Sequence, residues 1–238
     1  MITFDFDKIS PLCANFGLDL TAEIRERLNT YGNLLVEWNE KMNLTAITEP
    51  DAVLYKHFYD CLLFLKHVNI KDNASLIDVG TGAGFPGMVL KIARPDINLT
   101  LLDGLNKRLT FLNEVLSQLG LEAQTVHMRA EDAGKNAKYR EKFDIACARA
   151  VAALPVLSEY CIPLVKKGGL FVAMKGQNGA DEAAAATNAV KLLGGEKSQI
   201  ICETLTGNEQ RTFILTKKIS QTPPKYPRAG GKITKSAL

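Results

Sequence analysis

Leu76-Ile77-Asp78-Val79-Gly80-Thr81-Gly82-Ala83-Gly84-Phe85-Pro86-Gly87 decides how this chain is read. The stretch is a short apolar strand, an acid at the strand end, a glycine-rich turn and a helix that opens at Pro86. Glycines at such a turn let the backbone approach a ligand, and the helix that follows aims unpaired N–H groups at it. The arrangement binds a cofactor containing a nucleoside.

Two cofactors compete for these glycines. Gly82-x-Gly84-x-x-Gly87 satisfies the dinucleotide fingerprint, and Asp103 lies about 20 residues on, where a ribose-binding acid belongs. One step earlier, Asp78 followed by Gly80-x-Gly82-x-Gly84 resembles motif I of the S-adenosylmethionine (AdoMet) methyltransferases. A carboxylate at the strand end would repel a pyrophosphate, whereas the ammonium group of AdoMet attracts one. Asp78 therefore favours AdoMet over NAD. It also fits a purely structural role, as an N-cap-like acid at the turn.

Outward from this stretch the pattern is regular. Residues 21–40 carry helical periodicity, with Ile24, Leu28, Tyr31, Leu34, Leu35 and Trp38 on one face. Thr48-Glu49-Pro50-Asp51 opens a second helix that runs to about Leu65. Residues 1–70 thus form a helical N-terminal extension. Strands are expected at 75–79, 98–102, 124–128, 143–148 and 169–174. Helices are expected between them at 86–93, 106–119, 155–165 and 180–193. Such alternation builds a parallel sheet wound on both faces. Strands near 198–204 and 210–216 have no helix between them and should close the sheet as an antiparallel hairpin. That ending matches class I methyltransferases, a Rossmann-like α/β fold, and not a dinucleotide fold. The sheet domain spans 71–218, and 219–238 is left as a tail.

The chain of 238 residues is 46% hydrophobic and 23% charged, enough for one generous domain with extensions. No apolar run reaches the ~18 residues of a membrane span, and acids stand where a signal peptide carries basic residues. Cys13, Cys61, Cys147, Cys161 and Cys202 are scattered and odd in number, as in reduced core thiols of a cytoplasmic protein. Neither they nor His57, His67 and His127 have metal-ligand spacing, so no metal is expected. Nothing points to a second copy, and a monomer is the default. Charge is uneven: residues 217–238 hold six basic residues and no acid, which leaves 1–216 at −3. A basic tail suits a polyanion such as nucleic acid, or is simply solvated.

In open α/β sheets ligands lie beyond the carboxyl ends of the strands. Asp78 and the glycines follow the first strand, and Asp103 ends the second, where its two oxygens could take the ribose hydroxyls. Met128-Arg129-Ala130-Glu131-Asp132 follows the third strand, beside the adenine edge. Arg149 stands at the mouth of the fourth. What is missing narrows the acceptor. The fourth strand ends in Ala148-Arg149-Ala150, not in the Asp/Asn-Pro-Pro-aromatic turn used for exocyclic amines. No cysteine sits in the Pro-Cys setting of C5 methylation, and no histidine is placed as a base. An acceptor with a free lone pair and no proton to lose, such as guanine N7, suits such a site.

These strings are specific enough to identify a resemblance. Trp38-Asn39-Glu40-Lys41-Met42-Asn43-Leu44-Thr45, Lys56-His57-Phe58-Tyr59-Asp60 and Asp78–Gly87 resemble the bacterial small-subunit rRNA guanine-N7 methyltransferase family (RsmG, glucose-inhibited division protein B). Leu102-Asp103 with Lys107-Arg108, Arg129-Ala130-Glu131, Arg149-Ala150 and Lys175-Gly176 add to it. The resemblance implies AdoMet-dependent N7 methylation of one guanosine in 16S rRNA, on the naked RNA or on the small ribosomal subunit. It implies that Gly80 and Phe85 line the AdoMet pocket, that Ala130 and Glu131 contact the adenosine part, and that Arg149 lies near cofactor or substrate. Asp78, Gly82, Gly84 and Asp103 join them from the argument above. Phe85 could equally be a core residue. Lys107, Arg108, Arg129, Lys175 and Arg228 are the candidate RNA contacts. His57 and Asp60, one helical turn apart, either share a structural hydrogen bond or line the substrate mouth. The tail departs from the family pattern, with Gly231-Lys232-Ile233 for Gly-Thr-Pro and Ala229 for the lysine after Tyr-Pro-Arg. The other readings are an NAD-dependent oxidoreductase and a non-catalytic nucleic-acid-binding regulator that retains a nucleoside pocket.

Overall fold

The glycine turn stands at the centre of a seven-stranded sheet in a computed structural model that describes residues 2–207 and 209–238. The strands are β1 (Ser75–Val79), β2 (Asn98–Asp103), β3 (Gln124–His127), β4 (Phe143–Arg149), β5 (Val165–Lys175), β6 (Gln199–Thr204) and β7 (Gln210–Lys217). Their spatial order is β3-β2-β1-β4-β5-β7-β6. The first five run parallel, and β7 is antiparallel to both β5 and β6. Because β1 and β4 lie at the middle, their apolar residues are covered on both faces.

Helices α1 (Ser10–Ala14), α2 (Ala22–Met42), α3 (Pro50–Val53), α4 (Asp60–His67), α5 (Gly87–Ala93) and α6 (Asn106–Leu119) pack with one sheet face. Leu109, Leu112, Leu116 and Leu119 recur at helical spacing along α6 and are buried, and Gly120 ends the helix in the left-handed region (φ +60°). Thr21 caps α2 by accepting from the Ile24 N–H. The N-terminal helices share one core with the sheet: Phe4, Tyr31, Phe58, Leu76, Leu101 and Val172 belong to a single buried cluster. The other face is covered by α7 (Ala130–Ala133), α8 (Leu154–Cys161), α9 (Gly179–Ala185), α10 (Thr187–Leu192) and α11 (Gly230–Lys235).

Three expectations need correction. The helix expected from Pro50 to Leu65 contains a π-helical turn at Leu54–Tyr59 between α3 and α4. Such turns re-aim side chains and often mark functional sites; this one carries Lys56 and His57. The helix expected over 180–193 breaks at Ala186 into α9 and α10. The tail is not a loose basic arm. Arg140 donates to the carbonyls of Thr222, Pro223 and Tyr226, and Lys218 is buried against Glu141 (2.7 Å). Arg228 pairs with the fully buried Glu159 (2.6 Å), and Ile233 of α11 is buried. Among the described residues no helix is long and apolar enough to cross a membrane.

Candidate functional site

The glycine loop is tied down from three sides. Gly80 and Thr81 donate their N–H groups to the Leu102 carbonyl on β2, and Gly82 donates to Asp103 Oδ2 (2.9 Å). From the N-terminal helices, the Tyr31 hydroxyl donates to the Ala83 carbonyl. Beneath the loop, Asp78 Oδ2 accepts from Thr81 Oγ1 (2.7 Å) and from the Gly87 N–H (2.9 Å). Gly80 stands at φ +68°, and a Cβ there would lie 2.8 Å from Val151, so no other residue fits without a shift.

This arrangement overturns the dinucleotide reading. A pyrophosphate needs free amides at the loop and helix start. Here Gly80, Thr81, Gly82, Gly84, Phe85 and Gly87 all donate within the protein. A carboxylate, moreover, already occupies the start of α5. The Asp78 side chain is fully buried under the loop, where Oδ2 positions the loop and Oδ1 has no hydrogen-bond partner among the described residues. Burial pushes its carboxyl up to about 6, against the pull of the Thr81 and Gly87 hydrogen bonds. A folded-state value above the unfolded one means a stabilising contribution that is full below about pH 4 and lost as pH rises through 6. Asp78→Asn keeps an acceptor for Gly87 and is expected to remove that slope while AdoMet affinity stays within about threefold. Denaturant melts from pH 4 to 8 and calorimetric AdoMet titration check this; a folded Asn variant that no longer binds AdoMet would return Asp78 to the ammonium.

Above the loop lies a cavity of about 790 Å³. Gly80, Asp103, Arg129, Ala130 and Glu131 line it after β1, β2 and β3, together with Arg108 of α6, one of the expected RNA contacts. Tyr160 of α8 and Gly230, Gly231 and Thr234 of α11 also line it, and no motif or period in the chain points to them. Asp103 is nearly buried, braced by the Leu105 and Gly82 N–H groups and by Arg108 (3.3 Å). Oδ2 accepts from both Gly82 and Arg108, whereas Oδ1 accepts only from Leu105 and keeps a second acceptor site, so a ribose hydroxyl of AdoMet fits at Oδ1. Glu131 lies against α11 so tightly that a Cβ on Gly230 would clash with it. The donor set and the size suit a nucleoside carrying a short amino-acid arm.

Other expected cofactor residues lie elsewhere. Gly82 and Gly84 shape the loop without lining the cavity. Phe85 belongs to an aromatic cluster: its ring stacks on His57 (4.4 Å between centroids), and the Arg149 guanidinium lies over it at 4.9 Å. Arg149 lines a second cavity of about 320 Å³, with Ile47, Lys56, His57, Asp60, Met174 and Arg211. Ala150, in the left-handed region (φ +56°), lines both cavities.

The second cavity is built on Asp60. One oxygen accepts from Arg149 (2.8 Å) and the other from Arg211 (3.1 Å). The His57–Asp60 hydrogen bond does not form, because Arg149 stands between them, 3.2 Å from His57 Nδ1. Nδ1 lies equally close to the Lys56 carbonyl (3.2 Å), and Nε2 lies 2.9 Å from Thr45 Oγ1. With the ring proton on Nε2 the Nδ1 lone pair accepts from Arg149, and with it on Nδ1 the Nε2 lone pair accepts from the Thr45 hydroxyl. Burial and the Arg149 charge hold His57 down to about 3, so it is neutral and its lone pair is occupied. Lys56 pairs with Glu209, and Lys175 pairs with Glu182 and the Ala152 carbonyl (2.7 Å each). Lys175 and Arg228, expected to meet RNA, are thus committed to internal carboxylates, because both lie where the chain folds back on itself. Arg108 and Arg129 line the cofactor cavity, and Lys107, the residue before Arg108 on α6, is exposed.

A sheet of this order, with a nucleoside cavity over β1, β2 and β3 and a second cavity at the end of β4, defines a class I AdoMet-dependent methyltransferase. Solved structures of that class share the fold at low identity. A SAM-dependent methyltransferase from Aquifex aeolicus aligns with TM-score 0.55 and 15% identity, over 74% of this chain and 97% of its own. A 16S rRNA (adenine(1408)-N(1))-methyltransferase from Catenulisporales acidiphilia aligns with TM-score 0.53 and 14% identity, over 64% and 88%. A family model described as rRNA small subunit methyltransferase G (GidB) matches residues 24–213. Proteins named ribosomal RNA small subunit methyltransferase G from Clostridium beijerinckii and Clostridium botulinum (strain ATCC 19397) are 46% and 45% identical over 98% of both chains. The chain belongs to the GidB family.

Proposed function

We propose that the protein transfers a methyl group from AdoMet to N7 of a guanosine in 16S rRNA, acting as a cytoplasmic monomer on RNA or on the small subunit. The observation that carries the choice of acceptor is the second cavity, which offers no free base. His57 is neutral with its lone pair taken, Asp60 accepts on both oxygens, and the lysines are ion-paired. An acceptor that had to lose a proton would find nothing to take it. Guanine N7 has a lone pair and nothing to lose. Its neighbouring O6 is an acceptor and matches the donors of Lys56, Arg149 and Arg211, whereas adenine would present an amine there.

Gly80, Asp103, Ala130 and Glu131 would hold AdoMet, which supplies the activated methyl group. The chain itself positions: Ala150 borders both cavities, so the methyl group would pass beside it, and Phe85 supports His57 and Arg149 of the second cavity. The test is methyl transfer from labelled AdoMet to small subunits lacking the modification, followed by nucleoside analysis. Label in 7-methylguanosine is expected. Label in a different nucleoside would overturn the acceptor, and AdoMet binding without transfer would favour the non-catalytic regulator.

A further inference from the structure

The basic side chains of this protein divide into two groups. Around the second cavity each cation has an internal carboxylate: Lys56 has Glu209, Lys175 has Glu182, and Arg149 and Arg211 share Asp60. Around the cofactor cavity Arg108 is paired, with Asp103 (3.3 Å), but other cations are not. Lys107 at the start of α6, Arg129 after β3, and Lys232 and Lys235 on α11 are exposed, and among the described residues none has a carboxylate within 4 Å. AdoMet carries a net positive charge and gains nothing from such a rim. A polyanion does. The mouth also exposes two apolar side chains, Leu105 and Val151, which a stacked or apposed base would cover.

The wall bearing Lys232 and Lys235 is fixed. Arg228 anchors it to the fully buried Glu159 (2.6 Å), Ile233 is buried, and Gly230 abuts Glu131. Gly230, Gly231 and Thr234 face the cavity, while the two lysines project outside it. The mouth therefore has no mobile element of its own at this wall that would close it.

We infer that the RNA substrate is the door. Its phosphates bridge Lys232 and Lys235 on one side of the mouth and Lys107 and Arg129 on the other, so that bound RNA covers the cofactor cavity. The inference rests on the RNA-methylating function proposed above. It imposes an order: AdoMet enters before RNA, and S-adenosylhomocysteine (AdoHcy) leaves after RNA.

The test uses the full chain, its K232E/K235E variant and a K191E control on a helix remote from the mouth. Dissociation of labelled AdoHcy is timed with and without saturating unmethylated small subunits, and subunit binding is measured against salt. Subunits should slow AdoHcy release at least ~10-fold in the wild type and in K191E, and much less in K232E/K235E. The double variant should bind AdoHcy as the wild type does, while its salt slope falls by about 2, roughly one per lost phosphate contact. AdoHcy release unaffected by subunits, or an unchanged slope in the double variant, would overturn the inference. Failure of the wild type to methylate any guanosine would instead overturn the function on which it rests. A wild type that makes 7-methylguanosine but releases AdoHcy freely from the RNA complex refutes the door alone.

Discussion

Ala150→Leu is expected to lower methyl transfer about 100-fold, the cost of displacing a reacting centre by roughly 1 Å. AdoMet affinity should stay within a few-fold. Ala150 is the residue that the linings of the two cavities share, so the proposed transfer runs beside its short side chain. Leucine would place an isobutyl group where the two cavities meet. The cofactor cavity keeps its other walls, so binding survives while alignment fails. The backbone already turns left-handed at this alanine, and the substitution adds no new strain of that kind. Single-turnover rates set beside calorimetric AdoMet titration separate the two effects. Equal losses in rate and affinity would mean that Ala150 is merely part of the cofactor wall.

Arg149→Met is expected to cost about 3–5 kcal/mol of stability, because it leaves Asp60 buried with one of its two charged partners gone. For a chain of this size the melting temperature falls by roughly 10 °C. Adding Asp60→Asn removes the stranded charge and should recover at least about 1 kcal/mol; Arg211 keeps Glu209 at 3.5 Å. Arg149→Lys should not restore the wild type, since an ammonium cannot reach Asp60, His57 and the Lys56 carbonyl in the geometry of a planar fork. Denaturant melts of the four proteins give the comparison. A single variant as stable as the wild type would show that the network contributes nothing to folding.

Much of this arrangement is legible in the chain, for physical reasons. The span of α6 announces itself because its leucines repeat from Leu109 to Leu119, about three turns, and Gly120 stops them. The terminal hairpin does so because no helix-length segment separates β6 from β7. The strand-end rule finds Gly80, Asp103, Ala130 and Glu131 because it depends only on topology. It cannot tell which way an acid on β1 points, and Asp78 lies under the loop. It puts Arg149 at the end of β4, where the structure has it, but cannot show that Asp60 reaches across from α4 to hold it in the second cavity. Short α7 and α11 leave no period to read. Tertiary contacts form them, such as Ile233 in the core and Arg228 on Glu159, and the residues that close the cofactor cavity were missed with them.

The cofactor cavity draws its walls from Val79 through Thr234 and from both faces of the sheet, so only the fully folded chain possesses it. A ligand that binds the native but not the unfolded state shifts the balance between them by mass action, about 2.7 kcal/mol at 100 times its Kd. That is a sizeable share of the stability of an ordinary domain. Methyl-donor supply is thereby coupled to the lifetime of the protein itself: a cell short of AdoMet would hold more of the chain in forms open to proteolysis, which melting temperatures with and without AdoMet would register. The cavity is a substrate site and, by the same construction, a gauge of the cell's one-carbon supply.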